Sequence, residues 1–430
     1  MAYFEVEGGR QINGEISVSG AKNATLPMFC AALLTDEKCL FKNVPDISDV
    51  QTLLDIFKSI GVRVKRNLEE KTVEIWAKEI DLKDLHKSEK VKKFRASILL
   101  LGPLLARMGK CHIPQPGGCV IGARSNEIHT DGFKLLGVEI EETTEHISAK
   151  FGLSRIQSKK RSFKNKRILL TEASVTGTEN LAIFAAGVRD DVEIFFSASE
   201  PIVAATLEML VKMGATITGI GRHHLRMRGT EKPRGGVFEI PPDGLLVGTY
   251  AIAAALTGGE LEINNVNHRE LFSFYGAFKR VGAKFQMKEN QLKILPTKRL
   301  RAVPKIQTAI FPGFPTDLQS PFGVLLTQCS GTSVIFETLF ENRLTYLSEL
   351  EKMGAKVEML NSHQAKVYGP TRLKAAEVQS WDLRAGAAMV LAGLIAEGTT
   401  KVTNIDYIDR GYENFAENLN RLGAKIRRVE

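Results

Sequence analysis

KMGAKV, Lys352 to Val357, has five relatives in the same chain. They are SIGVRV around Gly61, LLGVEI around Gly137, KMGATI around Gly214, RVGAKF around Gly282 and RLGAKI around Gly423. The glycines recur roughly every 70 residues, beyond the usual period of short solenoid repeats. Each glycine reads as a helix C-cap in the left-handed conformation, followed by a β-rich run. A second signature precedes it in every copy: an apolar helix, a turn and a strand, as in AAALTGGELEINNV and LLTQCSGTSVIFET. Runs such as LEINNV and SVIFET suit strands. Six copies of helix, strand, helix and strand predict an α/β protein of two domains with three units each, every unit laying helix on sheet.

Composition sets the outer bounds. The chain has 430 residues, 43% hydrophobic and 25% charged, which suits a globular protein of two domains at about 150 residues each. The start, MAYFEVEGGRQING, has no basic or apolar leader pattern, so no secretory signal is expected. No apolar run reaches the roughly 18 residues of a spanning helix. The five cysteines (Cys30, Cys39, Cys111, Cys119 and Cys329) form no close CxxC pair, which argues against a disulfide framework or zinc site and for the cytoplasm. The net charge of +9 allows an anionic partner. The basic run SKKRSFKNKR, Ser158 to Arg167, reads as a solvated turn between strands, and nucleic-acid binding would rest on charge alone.

Polar residues gather where the first helix of each unit begins. These are Lys22 and Asn23 in SGAKNATLP, Arg95 in KKFRASILLL, Ser174 and Thr176 in EASVTGTEN, Asp243 and Thr249 in PPDGLLVGTY, Thr316 and Asp317 in FPTDLQ, and Asp382 and Arg384 in WDLRAG. A helix N-terminus carries unpaired N–H groups and about half a positive charge. Capping explains Ser, Thr and Asp there. It does not explain Lys22, Arg95 and Arg384, which call for a compensating anion such as phosphate or carboxylate. Arg343 in FENRLTYLSEL and Arg410 in DYIDRGYENF have acidic neighbours, and a surface ion pair is the plain reading of each. PGGCVIGARSNEIH, Pro116 to His129, puts Cys119 and Arg124 on a glycine-softened loop.

Together SGAKNATLP, RASILLLGPL, PGGCVIGAR, FPTDLQ, FENR, DLRAG and IDRGYE resemble the enolpyruvyl transferase family, along essentially the whole chain. The resemblance implies an inside-out α/β barrel: two similar domains of three βαβαββ units each, closing over a cleft. The N-terminal strand returns to the C-terminal domain, which gives expected domains of 22–236 and of 1–21 with 237–430. The implied reaction joins phosphoenolpyruvate to the 3-hydroxyl of UDP-N-acetylglucosamine and releases phosphate, the first committed step of peptidoglycan precursor synthesis. No metal or organic cofactor, nucleic acid or membrane is implied, and the oligomeric state stays open.

Carried over by motif, Lys22, Asn23, Arg95, Arg124, Arg343, Arg384 and Arg410 would hold phosphoenolpyruvate and the tetrahedral adduct. Asp317 would be the base, with an N-cap or first-turn role as the structural alternative. Cys119 would donate a proton to the vinyl carbon, form an adduct with phosphoenolpyruvate and assist product release, its pKa lowered by nearby cations. Lys22 and Arg410 are grouped with these two as catalytic. On the nucleotide-sugar side the resemblance suggests Asn23, Arg95, Ser125, Asn126, Glu127, Ile128, Ser174, Val175, Thr176, Asp317 and Leu339. Here the chain departs from the family pattern. Ser125-Asn126-Glu127-Ile128 replaces Pro-Val-Asp-Leu, and Glu172 and Thr176 stand in a Lys-x-Ser-Val-Gly segment. Val247 stands where an acid is common and Tyr407 where a histidine is common. An enolpyruvyl transferase acting on another nucleotide or nucleotide sugar is therefore the alternative. The shikimate-pathway relative lacks the GGC loop cysteine, so Cys119 argues against it. Since this chain has Cys rather than Asp at 119, the epoxide fosfomycin is expected to alkylate it. Mass spectrometry after incubation with drug and UDP-sugar checks this, and an unmodified Cys119 counts against the reading.

Overall fold

The computed structural model describes residues 2–117, 126–152 and 166–430. Each of the six signature glycines has positive φ, from +85° at Gly61 to +113° at Gly214. Helix Tyr346–Lys352 shows the device: Met353 caps it, Gly354 turns the chain at φ +91°, and strand Lys356–Asn361 follows. A Cβ strains such a backbone, and glycine has none.

The chain divides into two compact units, 20–117 with 126–241, and 2–19 with 242–430. Strand Gly236–Glu239 pairs in parallel with Lys38–Lys42, so the first unit runs later than the expected limit at 236. Its ladder with Cys39 to Lys42 holds it there. In the other unit, strand Tyr3–Glu7 lies between Thr399–Thr403 and Lys425–Val429, antiparallel to both. Strand Gly14–Ser17 runs parallel to Leu261–Asn264. The first residues of the chain thus complete sheets built from its second half.

Among the described residues each unit holds three small sheets, five of the six mixed and one, formed by Lys110–Pro114, His146–Lys150 and Glu139–Glu142, antiparallel throughout. Thr72–Trp76 alternates buried Val73 and Ile75 with more exposed neighbours, the period expected of a strand with one face on a core. Helices divide into two kinds. Ser48–Ser59 buries one stripe, including Leu53, Leu54 and Phe57. Lys22–Ala32, Val175–Ala186, Gly244–Thr257, Gln319–Thr327 and Leu383–Ile395 are buried nearly all round, as helices inside a core must be. In one unit Lys22–Ala32 and Leu101–Met108 both touch Val175–Ala186, and in the other Gly244–Thr257, Gln319–Thr327 and Leu383–Ile395 touch one another. Helices inside and sheets around them are the inside-out α/β barrel.

An interior helix surrounded by apolar neighbours can present polar groups to solvent only near its ends. The starts of these helices are therefore where chemistry can emerge. No helix among the described residues is long and apolar enough to cross a membrane.

A Cβ at Gly354 would lie 4.0 Å from its nearest neighbour, the Arg372 carbonyl, so substitution there is a conformational test rather than a steric one. Gly354→Ala is expected to cost about 1–2 kcal/mol and Gly354→Asn less. Chemical denaturation checks both through a shifted midpoint at unchanged slope.

Candidate active site

In the unit formed by 20–117 and 126–241, Lys22 is the first residue of helix Lys22–Ala32, which has no side-chain cap. The side chain is not left facing the positive helix end alone. Its Nζ reaches Asp49 Oδ2 at 2.8 Å, and both residues are buried. The anion that the sequence calls for is supplied, in this structure, by the protein itself. Asn23 follows, half-buried. Arg95 differs from expectation. It opens a 3-10 turn, Arg95–Leu100, and the α-helix begins only at Leu101. Pro103 lies in that helix's first turn, where its missing N–H leaves no bond unmade.

Ser174 caps helix Val175–Ala186, its side chain accepting from the Gly177 N–H at 3.2 Å. Val175 and Thr176 are half-buried in the first turn. Beneath them lies His129, 3% exposed, whose Nε2 is 3.3 Å from Thr176 Oγ1 and whose Nδ1 is 3.0 Å from Asn180 Nδ2. Burial, aided by the charge of Arg95, pushes the His129 pKa down to about 3, so the ring is neutral. Asn126 is a brace. Its Nδ2 donates to Gln115 Oε1 and Glu142 Oε1, both at 3.2 Å, and Gln115 Nε2 donates to the same Glu142 oxygen at 3.0 Å. Glu127 is exposed and Ile128 half-buried at the start of helix Glu127–Leu135. Cys119, Arg124, Ser125 and most of the basic run from Ser158 lie outside the described residues.

In the other unit Asp317 is the centre. It is the first-turn acid of a short turn, Thr316–Leu318, ahead of helix Gln319–Thr327, and the N-cap positions of the two are Pro315 and Leu318. Its Oδ1 accepts from Arg343 Nη2 at 2.6 Å and its Oδ2 from Arg384 Nε at 3.2 Å. The arginine side chains are 4% and 1% exposed, against 24% for the carboxylate. The surface ion pair suggested for Arg343 by its acidic neighbours is thus corrected: it is a buried pair with a residue from another segment. Burial disfavours the Arg343 charge, but Asp317, Asp382 and Glu337 outweigh it and keep the group charged.

The cluster has a supporting layer. Arg343 Nη1 donates to Thr316 Oγ1 at 3.0 Å, and Thr316 donates to Glu337 Oε2 at 2.8 Å. Glu337 is fully buried and its other oxygen accepts from Thr308 and from the Leu339 N–H, each at 2.9 Å. Leu339 itself is 39% exposed. Asp382 caps helix Leu383–Ile395 through the N–H groups of Arg384 and Ala385, which places the Arg384 side chain in the first turn. The guanidinium lies over the Tyr412 ring at 5.2 Å, and Tyr412 OH is 3.2 Å from Thr249 Oγ1. Arg384 Nη1 and Arg343 Nε are buried without a hydrogen-bond partner among the described residues. Arg410 is half-buried just after the short helix Asp406–Asp409.

The sequence-expected residues thus fall into two groups that the structure does bring together: Ser174, Val175 and Thr176 on one helix start, and Asp317, Arg343 and Arg384 in one ion cluster. Sequence reasoning missed Asp49, His129, Asn180, Thr308, Glu337 and Tyr412. Tyr412 had a signal, lying two residues past Arg410 in the IDRGYE motif. Asp49 and Glu337 had none, because each is defined by a partner distant in the chain.

The family described as EPSP synthase (3-phosphoshikimate 1-carboxyvinyltransferase) matches residues 6–419. The chain belongs to this family of enolpyruvyl transferases, as the seven motifs imply. Among curated proteins it is 39% identical to a UDP-N-acetylglucosamine 1-carboxyvinyltransferase of Wolinella succinogenes, over 100% of this chain and 99% of that one. It is 38% identical to the protein of the same name from Desulfosudis oleivorans, over 99% and 98%. In fold it resembles the enolpyruvyl transferase NikO of Streptomyces tendae, with TM-score 0.87 and 23% identity over 100% of this chain and 99% of that one. EPSP synthase from Acinetobacter baumannii follows at 0.76 and 16%, with both chains covered in full.

The neutral His129 has a thermodynamic consequence. Its folded pKa lies below the ordinary 6.5, so below that pH the unfolded chain binds a proton that the folded chain refuses. Stability is complete above about 6.5 and falls with pH toward 3, by at most about 1.4 kcal/mol per pH unit for this group. Thermal unfolding at pH 7 and pH 5 is expected to show a smaller acid-induced drop in His129→Gln than in the parent.

Proposed function

We propose that the protein transfers the enolpyruvyl group of phosphoenolpyruvate to the 3-hydroxyl of UDP-N-acetylglucosamine, releasing phosphate, as the opening step of peptidoglycan precursor synthesis in the cytoplasm. The observation that carries the reading is the Asp317 cluster on a chain related along its full length to enzymes of that name. A carboxylate is held between two buried guanidinium groups, each with one nitrogen that has no acceptor among the described residues. Phosphoenolpyruvate, with its carboxylate and phosphate, has the oxygens those donors lack.

The chemistry assigns each group a task. The sugar hydroxyl attacks C2 of phosphoenolpyruvate while a proton is added to C3, which becomes a methyl group. Cys119 is the proposed donor of that proton. Asp317 is the proposed acceptor of the hydroxyl proton. Both of its oxygens are engaged by arginine, so a hydroxyl must approach the exposed side of the carboxylate or displace one of those contacts. The tetrahedral adduct then loses phosphate and a methyl proton, restoring the double bond. Lys22, Arg124, Arg343, Arg384 and Arg410 neutralise the phosphate and carboxylate charge through both steps. Burial against Asp49 gives Lys22 a fixed position from which an anionic ligand can compete for it. The four described cysteines are buried and free, which fits a reducing compartment.

The departures at Ser125 to Ile128 and at Thr176 support one second reading, the same transfer to another nucleotide sugar. Phosphate release from phosphoenolpyruvate, measured with UDP-N-acetylglucosamine, other UDP-sugars and shikimate 3-phosphate, separates the two. UDP-N-acetylglucosamine is expected to be the best acceptor, and a clear preference for another overturns the first reading. Asp317→Ala is expected to lower kcat by about 10²–10⁴-fold if the carboxylate is the base.

A further inference from the structure

The polar chain behind helix Val175–Ala186 has a definite direction. Asn180 Oδ1 accepts from the Gly102 N–H at 2.8 Å, which fixes which end of the amide is which. Its Nδ2 donates to the Ile98 carbonyl at 2.8 Å. The second Nδ2 hydrogen faces His129 Nδ1 at 3.0 Å. A ring nitrogen that receives a hydrogen bond presents its lone pair, so the proton of the neutral ring sits on Nε2. That N–H points at Thr176 Oγ1, 3.3 Å away.

The arrangement leaves the Thr176 hydroxyl with its hydrogen to give. Its oxygen is taken as an acceptor by His129. Its own hydrogen has no acceptor among the described residues, on a half-buried side chain in the first helical turn. With one lone pair of its oxygen engaged by His129, the hydroxyl is biased toward giving that hydrogen. Where the family pattern has glycine, this chain therefore presents a hydroxyl donor. A nucleotide sugar, rich in phosphate, carbonyl and hydroxyl oxygens, is a ligand that can use it.

We propose that Thr176 donates a hydrogen bond to an oxygen of the bound nucleotide sugar, and that His129 and Asn180 are positioning residues that orient its hydroxyl. This rests on the nucleotide-sugar acceptor proposed above. Packing reinforces the arrangement. A methyl group at Gly102 would collide with the carbonyl of Asn180, so the close approach that lets the amide reach the Gly102 N–H requires glycine.

The test is steady-state kinetics of phosphate release for the parent, Thr176→Val and Thr176→Ser. Valine keeps the branched shape and loses the hydroxyl; serine keeps the hydroxyl. Thr176→Val is expected to raise KM for UDP-N-acetylglucosamine about fivefold to tenfold, the loss of one hydrogen bond. KM for phosphoenolpyruvate is expected to move much less, and Thr176→Ser to recover most of the loss. His129→Gln is expected to raise the same KM in the Thr176 enzyme and to add nothing on Thr176→Val. An active parent whose acceptor KM is untouched by Thr176→Val overturns the proposal, as does a serine variant no better than valine. A His129→Gln effect that persists in full on Thr176→Val overturns the positioning role. A parent that releases no phosphate with UDP-N-acetylglucosamine refutes the acceptor assignment instead, and the inference with it.

Discussion

A guanidinium group almost wholly removed from water must find its anion inside the protein. Arg384 and Arg343 find theirs in Asp317, one on each carboxylate oxygen. Separating either partner would strand a buried charge, at a cost of several kcal/mol. The pairing therefore ties together the starts of two interior helices and the segment that carries Arg343. Thr316, Glu337 and Thr308 extend the same constraint backwards, each satisfying the group in front of it. The order this imposes suits a site for charged substrates, because donors that are already held lose little freedom when a ligand arrives.

The other unit solves a similar problem with different means. Lys22 is buried with Asp49, a pair of opposite charges. Behind Thr176 the chain uses a neutral network, in which Asn180 links two backbone groups to His129 and burial keeps the ring uncharged. Charge sits where the proposed function puts the anionic substrate, and neutral hydrogen bonding sits behind the proposed Thr176 donor.

Both arrangements are consequences of putting helices inside. A helix such as Leu383–Ile395, buried along its length, has nowhere to display polar side chains except at its first turn. Asp382, Arg384, Ser174, Lys22 and Asp317 all lie at or beside such starts. Asp382 and Ser174 cap their helices. Lys22 and Arg384 take places at the positive ends of their helices, which is unfavourable until a carboxylate comes close.

Much of this was legible in the chain. The six glycine signatures announce the repeat because a positive φ after a helix selects glycine locally, and the uniformly apolar helices announce an interior position by composition. Lys22, Arg95 and Arg384 stand out because a cation at a helix start conflicts with the local field. What the residues could not reveal was partnership. Asp49 meets Lys22, Glu337 meets Thr316 and Thr308, and Asn180 meets Gly102 only after distant segments pack. Arg95 was placed on an α-helix that in fact begins later, since the local balance between 3-10 and α turns is small and packing settles it. Local backbone preference and charge belong to the sequence, because they act over a few residues. The protonation of His129, the burial of Arg343 and the pairing of Asp317 belong to the tertiary structure, because burial and distance exist only once the chain has folded.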